Sequence, residues 1–216
     1  CISATGYNNV DLEAARKNNV LVSNVVGYST PSVAQHVFAL LLSLTNKSAN
    51  YGLEVRKGEW SSNLDFSYYK EPIVELHGMT MGIYGLGKIG SALAKIALAF
   101  GMKVIAKHKH PERDKMDGVR FVEMDELLEK SDVLSLHAPL TKLNHELFDA
   151  DAFRKMKKTA FFINTSRGQV INEKDLAHSL NEGIIAGAGL DVLTLEPPKA
   201  DNPLLTAKNC IITPHH

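Results

Sequence analysis

Residues 80–100 read TMGIYGLGKIGSALAKIALAF, and this stretch decides the fold. Met81–Gly85 is a short apolar run of strand type. It passes directly into Gly85-Leu86-Gly87-Lys88-Ile89-Gly90, a G-x-G-x-x-G. Ile89, Leu93, Ile96 and Phe100 then recur at helical spacing, with Gly101 placed to end the helix. Alone the glycine pattern carries little weight. Between a strand and a helix it acquires a mechanism. Gly85 permits the tight turn, Gly87 lets a pyrophosphate approach the backbone, and Gly90 lets the helix pack on the strand. The helix opening at Lys88 and Ile89 presents unpaired N–H groups and a positive dipole end to the anion.

Beyond this unit, strand-like runs fall at Val104–Ala106, Val119–Val122, Val133–Leu136, Ala160–Ile163, Ile185–Val192 and Cys210–Thr213, most of them separated by helical patterns. Asn172 with Asp175 three positions on resembles a capping box opening a helix that Gly183 closes. Strands and helices in alternation predict an α/β fold, a doubly wound parallel sheet. Before residue 76 the pattern is less regular. CISA and VLVSN read as strands flanking a short helix started by Asp11. Thr30-Pro31 predicts an N-cap followed by proline at the first helical position, and the helix it opens could run past residue 50. An aromatic stretch with no helical or strand period follows, over about 46–75, with Tyr51, Trp60, Phe66, Tyr68 and Tyr69. It is read as a dimerisation arm.

Lysine plus arginine and aspartate plus glutamate both number 24, so the 216 residues carry no net charge. Nucleic acid and anionic membrane are therefore poor partners. No apolar run approaches the ~20 residues of a membrane helix. Cys1 and Cys210 are too few for a disulfide scaffold, and the expectation is a soluble cytoplasmic protein.

The second strand ends in KHKH. An NAD-selective domain places an acid there, about 20 residues past the glycines, to accept the ribose 2′-hydroxyl. His108 occupies the position, between Lys107 and Lys109, while Glu112 and Asp114 come several residues late. Two lysines and two histidines tolerate a 2′-phosphate better than an acid does, while a solvated strand end binds NAD without much selectivity, so NAD and NADP both stand. Three further stretches lie at the carboxyl ends of later strands, where ligands bind in open α/β sheets: SLHAPLT, INTSRGQVI and GLDVLTLEPP, with a fourth in the terminal ITPHH.

The order Arg167, then Glu196 29 residues on, then His215 a further 19 on, resembles that of the D-isomer-specific 2-hydroxyacid dehydrogenases, and the resemblance covers essentially the whole chain. GEW, DFSYYKEPIVELHGMTMGIYGLGKIG and VAQH are similar to its glycerate dehydrogenase (hydroxypyruvate reductase) branch. The resemblance implies a Rossmann-type domain and hydride transfer between NAD(P)H and a small 2-oxo or 2-hydroxy acid, most simply hydroxypyruvate and glycerate. It makes His215 the acid–base group and Glu196 the partner that favours its imidazolium. Arg167's planar fork suits a carboxylate beside a carbonyl. Asp191 is implied at the nicotinamide end with Thr165 and Ser166 nearby, and His137, Ala138 and Pro139 as cofactor-pocket wall. His36, His77, His145 and His178 read as ordinary residues, and no spacing suggests a metal.

Residues 1–28 are read as a remnant of a substrate domain and 29–216 as the dinucleotide-binding domain, likewise by resemblance. Most of the substrate domain is then missing, and the chain alone is expected to bind dinucleotide with negligible turnover. His216 stands where such proteins usually have an apolar or small residue, native or the start of a tag. Met79 replaces a usual lysine. A dinucleotide-sensing corepressor of the same fold is the alternative reading, distinguished by a peptide-binding groove in the missing segment.

Overall fold

The computed structural model describes residues 1–2, 6–7 and 10–216. Its centre is a parallel sheet of β1 (Thr80–Tyr84), β2 (Lys103–Lys107), β3 (Val119–Phe121), β4 (Val133–Leu136), β5 (Phe161–Asn164), β6 (Gly187–Leu190) and β7 (Cys210–Ile212), in the order β3-β2-β1-β4-β5-β6-β7. Each strand predicted from residue 81 onward is present, the sixth shorter than expected at both ends. Among the described residues seven helices accompany the sheet: α1 (Leu12–Lys17), α2 (Thr30–Asn46), α3 (Ser48–Arg56), α4 (Lys88–Ala99), α5 (Met124–Lys130), α6 (Ala150–Lys155) and α7 (Glu173–Asn181). Short 3₁₀ turns occupy Gly168–Val170 and Pro203–Thr206.

The inner strands are buried on both faces, the edge strands β3 and β7 only in part, and alternate residues divide between two cores. Met81, Ile83, Val104, Val133, Phe161 and Ile163 pack on one face with Val37, Leu41 and Leu93 of α2 and α4. Ile105, Leu134, Leu136 and Phe162 pack on the other with Leu127, Phe153 and Leu176 of α5, α6 and α7. Glycines in β6 let α2 lie close on the sheet: a methyl on Gly189 would stand 2.9 Å from Leu40 Cβ. The chain runs outward from β1 to β3 and then returns, so β4 pairs with β1 on its other side. That reversal between β1 and β4 is the switch point at which such sheets open a crevice.

Several local expectations shift. Ser29, one residue before Thr30, holds the cap position of α2. The helix does not run past residue 50, because Lys47 adopts φ 52 and separates α2 from α3. The aromatic arm is therefore partly helical, over Ser48–Arg56. VLVSN forms no strand beyond an isolated bridge of Asn24 to Ile2, and residues 3 and 4 of the expected CISA strand lie outside the described residues. Asn172 caps α7 by accepting from the Asp175 amide, but the Asp175 carboxylate accepts from the Ala150 amide instead of closing the box. No described helix is long and apolar enough to cross a membrane.

Two glycine substitutions separate packing from propensity. A methyl on Gly90 would lie 2.3 Å from the Gly85 carbonyl oxygen, whereas Gly52, within α3, has nothing within 4 Å. Gly90→Ala should cost about 1–3 kcal/mol or more, lowering Tm by about 3–10 °C for a chain of this size. Gly52→Ala should raise stability by about 0.5–1 kcal/mol. Thermal denaturation of both variants checks the pair, and a Gly90→Ala protein as stable as the parent would contradict this packing.

Candidate active site

The sequence-singled residues gather along the carboxyl ends of β1, β2, β4, β5, β6 and β7. At the switch point Gly85 takes φ 100, and a methyl there would stand 2.6 Å from the Ala138 amide nitrogen. The turn after β1 thus rests directly on His137 and Ala138 after β4. Gly90 brings α4 onto the same turn. Gly87 differs from both, because a methyl there meets nothing within 4 Å and no positive φ is required. Its missing side chain serves no internal packing and leaves an open cradle at the N-terminus of α4. An anionic pyrophosphate fits that combination of free space and unpaired N–H groups. Lys88 lies beside this cradle, with its Nζ toward Gly27.

His108 is committed on both ring nitrogens. Nδ1 accepts from the Leu86 amide at 3.1 Å, which leaves the ring proton on Nε2, 2.7 Å from Asp114 Oδ2. Asp114, late in sequence, is folded back to the end of β2. The Arg113 guanidinium, and after it His108, hold its carboxyl well below the usual range. Lys107 pairs with Glu123. His108 is thus less a free reader of a ligand than a strut between the glycine loop and the 108–114 turn.

After β4, the His137 amide donates to the Tyr84 carbonyl at 2.8 Å, and its Nε2 lies 2.8 Å from Ser135 Oγ. Enclosure of the ring lowers its pKa from 6.5 to about 4, so it is neutral near neutrality. Asn144 reinforces the turn beginning at Pro139, donating to the Pro139 carbonyl at 3.0 Å and accepting from the Thr141 amide at 2.7 Å.

Asn164, fully buried at the end of β5, shapes the turn that carries Thr165, Ser166 and Arg167. Its Oδ1 accepts from the Ser166 amide and hydroxyl at 2.9 and 2.8 Å, and its Nδ2 donates to the Arg167 carbonyl at 2.9 Å. Thr165 Oγ1 is buried without a hydrogen-bond partner, a polar group in want of one. Arg167 Nη1 donates to the Ser166 carbonyl at 2.6 Å. Gly168 sets this turn against the segment after β6, since a methyl on it would stand 1.9 Å from the Leu193 carbonyl carbon.

That segment carries Glu196. One carboxylate oxygen accepts from the Leu193 amide at 2.9 Å, and the other lies 2.7 Å from His215 Nδ1. His215 itself adopts φ 56, a conformation that L side chains rarely take. Asp191 belongs to a different network. Its carboxylate accepts from Thr213 Oγ1 at 2.6 Å and from the His216 amide at 3.0 Å, with His36 Nε2 at 3.4 Å. His36 also contacts Thr213 Oγ1 at 2.9 Å. Reading it as an ordinary residue overlooked this. No local signal marks it, because α2 also carries Ser32, Gln35 and Ser43, and the partners of His36 lie far along the chain.

Residues 38–216 match the family described as D-isomer specific 2-hydroxyacid dehydrogenase, NAD binding domain. The chain belongs to this family. It is 46% identical over 216 residues to the hydroxypyruvate reductase of Blautia hydrogenotrophica, covering 99% of this chain and 67% of that protein. Against the glycerate dehydrogenase of Methylorubrum extorquens the identity is 39% over 216 residues, with 99% and 67% covered. The structure of an acyclic imino acid reductase in complex with NADPH and D-Arg superposes with a TM-score of 0.87 at 36% identity, covering 98% of this chain and 66% of that one. The chain thus spans about two thirds of the length of each of these three relatives.

His137 should leave a mark on acid stability. Its folded pKa, about 4, lies below the ordinary 6.5. The unfolded chain therefore takes up the proton first as pH falls. The stability is present above about 6.5 and is lost between that value and about 4. At about pH 5 the loss amounts to about 2 kcal/mol. His137→Gln should reduce the fall in Tm between about pH 7 and about pH 5 accordingly. An unchanged fall would mean that the ring is not enclosed as described.

Proposed function

We propose that this chain is the cofactor-binding portion of an NAD(P)-dependent oxidoreductase that interconverts small 2-oxo and 2-hydroxy acids, with hydroxypyruvate and glycerate the favoured pair. The observation that carries the reading is the 2.7 Å contact of His215 Nδ1 with Glu196, which orients the ring and leaves Nε2 for the proton that moves. Gly85, Gly87, Lys88, Ile89 and Gly90 would hold the pyrophosphate, with His108 bracing that loop through Leu86. His137, Ala138 and Pro139 would line the pocket wall, and Thr165, Ser166 and Asp191 the nicotinamide end. When bound, the nicotinamide supplies the hydride to the substrate's C2 or removes it. Arg167 orients the substrate's carboxylate and carbonyl with its fork. His215 gives its proton to the carbonyl oxygen in reduction and takes it from the 2-hydroxyl in oxidation. Glu196 stabilises the imidazolium between these steps.

Residues 1–28 we assign to the substrate domain and 29–216 to the dinucleotide-binding domain. Ala34 is the first described residue to be buried, so the described residues before it belong to neither core. The arm at about 46–75 we assign to a homodimer contact. Leu64 and Phe66 stand 102% and 93% exposed, with Tyr69 and Ile73 also uncovered. Tyr68 instead packs edge-on against Tyr51. Apolar surface of this kind is characteristic of interfaces. Light scattering on a Phe66→Ser, Tyr69→Ser double variant of the natural full-length protein should show a monomer, and an intact dimer would remove the arm from the interface.

The test of function is a panel of 2-oxo acids assayed with NADH and with NADPH on the full-length protein. Hydroxypyruvate should be reduced most efficiently, and dinucleotide binding without reduction of any 2-oxo acid would overturn the reading. Arg167→Ala should lower kcat/KM by two to three decades, on the order of 3–4 kcal/mol for a lost preorganised charge contact. A fall of less than about fivefold, on the order of 1 kcal/mol, would remove Arg167 from the site.

A further inference from the structure

We infer that Glu173 is the positioning residue that holds the Arg167 turn and the Glu196 segment in one frame, and so keeps Glu196 on His215. This rests on the proposed roles of Arg167, Glu196 and His215. The segment from Thr194 to Asn202 has no strand or helix of its own, and Thr194–Pro197 are all exposed. A loop of this kind does not hold a carboxylate within hydrogen-bond distance of a half-exposed imidazole unless something outside it fixes its ends.

Glu173 supplies that fixation at both ends. Its Oε1 accepts from the Thr194 amide at 2.6 Å and its Oε2 from Asn202 Nδ2 at 2.8 Å. Asn202 cannot turn its amide round without loss, because its Oδ1 accepts from the Leu204 amide at 2.9 Å. Both oxygens of Glu173 are thus matched to donors, two residues before Glu196 and six after it. Glu173 opens α7, six residues beyond Arg167, so the clamp joins the chain that follows Arg167 to the loop that carries Glu196. Two contacts strengthen the same seam. Gln169 Nε2 donates to the Thr194 carbonyl at 3.1 Å, and Gly168 lies backbone to backbone with Leu193. Charge-assisted bonds to backbone and amide donors are the strong members of such a set.

Glu173 also sits in the first turn of α7, where a carboxylate steadies the helix dipole. Asp175 shares that turn and accepts from the Ala150 amide at 3.0 Å, with no bond to the Glu196 loop. It is the control for a merely structural effect. In the full-length protein, Glu173→Ala, Glu173→Gln, Asn202→Ala and Asp175→Ala are compared with the parent in three measurements. These are hydrogen exchange of the 190–202 segment, NADH affinity by fluorescence, and the pH profile of kcat/KM for hydroxypyruvate.

Glu173→Ala should speed exchange at Leu193 and Thr194 by about tenfold or more and lower kcat/KM by about 10–100-fold. Its pH profile should differ from the parent's, since the ring that moves the proton has lost the fixed position of its partner. NADH affinity should stay within about twofold, because the cradle is elsewhere. Glu173→Gln should recover part of the activity through the oxygen that still accepts from Thr194, and Asn202→Ala should shift each quantity the same way by less. Asp175→Ala should leave the pH profile in place. Should Glu173→Ala fail to fold, the Glu173→Gln and Asn202→Ala shifts decide the matter. Unchanged exchange, or an unchanged pH profile with kcat/KM within about threefold of the parent, overturns the inference. If the parent reduces no 2-oxo acid, the proposed function fails instead, and the exchange data alone uphold or overturn the clamp.

Discussion

A Cβ on Gly90 would stand 2.3 Å from the carbonyl oxygen of Gly85, and one on Gly85 would stand 2.6 Å from the amide of Ala138. These two near-contacts of backbone on backbone govern the rest of the site. Because α4 can approach β1 so closely, its N-terminus points at the turn rather than past it. Because that turn lies on the start of the loop after β4, main chain walls the switch point on that side. Main-chain walls have no rotamers to order, so a ligand seated there costs the protein little conformational entropy. Gly87, free of any such contact, lies in the same turn and keeps the space open.

The loops after the later strands are held by a different device, side-chain amides and carboxylates that bond to neighbouring main chain. Asn164 does this for the Thr165–Arg167 turn, Asn144 for the turn after Pro139, and Glu173 with Asn202 for the segment after Leu193. Each offers a donor or acceptor in a fixed plane to backbone groups that no strand or helix satisfies. The strands thereby end in ordered turns, and residues distant in sequence keep a constant spacing.

How much of this could be read in advance follows from where each signal resides. The strands were legible because those buried on both faces leave short apolar runs between glycines and helical periods, and even the partly buried edge strands β3 and β7 are short and rich in β-branched or aromatic residues. The glycine loop was legible because its mechanism demands fixed spacings within six residues. The order of Arg167, Glu196 and His215 was legible only through resemblance, since nothing local in GLDVLTLEPP announces a partner 19 residues away. His36 with Asp191, and Glu173 with Asn202, left no local trace at all, as these contacts form only after β6 and β7 have joined the sheet. The end of α2 was misjudged for another reason. Asn46, Lys47 and Ser48 carry no proline or glycine, and it is the left-handed turn at Lys47, φ 52, that breaks the helix.

Two carboxylates stand at the same end of the sheet, and their surroundings give them different work. Asp191 is 7% exposed in its side chain, and a carboxylate so enclosed calls for several donors. Thr213 gives it a hydroxyl proton at 2.6 Å, and the amide of His216 another hydrogen bond at 3.0 Å. A hydroxyl has a single proton to give. With that proton directed at Asp191, the 2.9 Å contact between Thr213 Oγ1 and His36 Nε2 requires His36 to be the donor. Proton direction therefore runs one way, from His36 through Thr213 to Asp191, and fixes the tautomer of His36 from α2. Glu196, 37% exposed, needs fewer partners and has two, the Leu193 amide and His215. The buried acid is locked by main chain and a relay of hydroxyl and imidazole, whereas the more exposed acid is held at the Leu193 amide and meets His215 with its other oxygen.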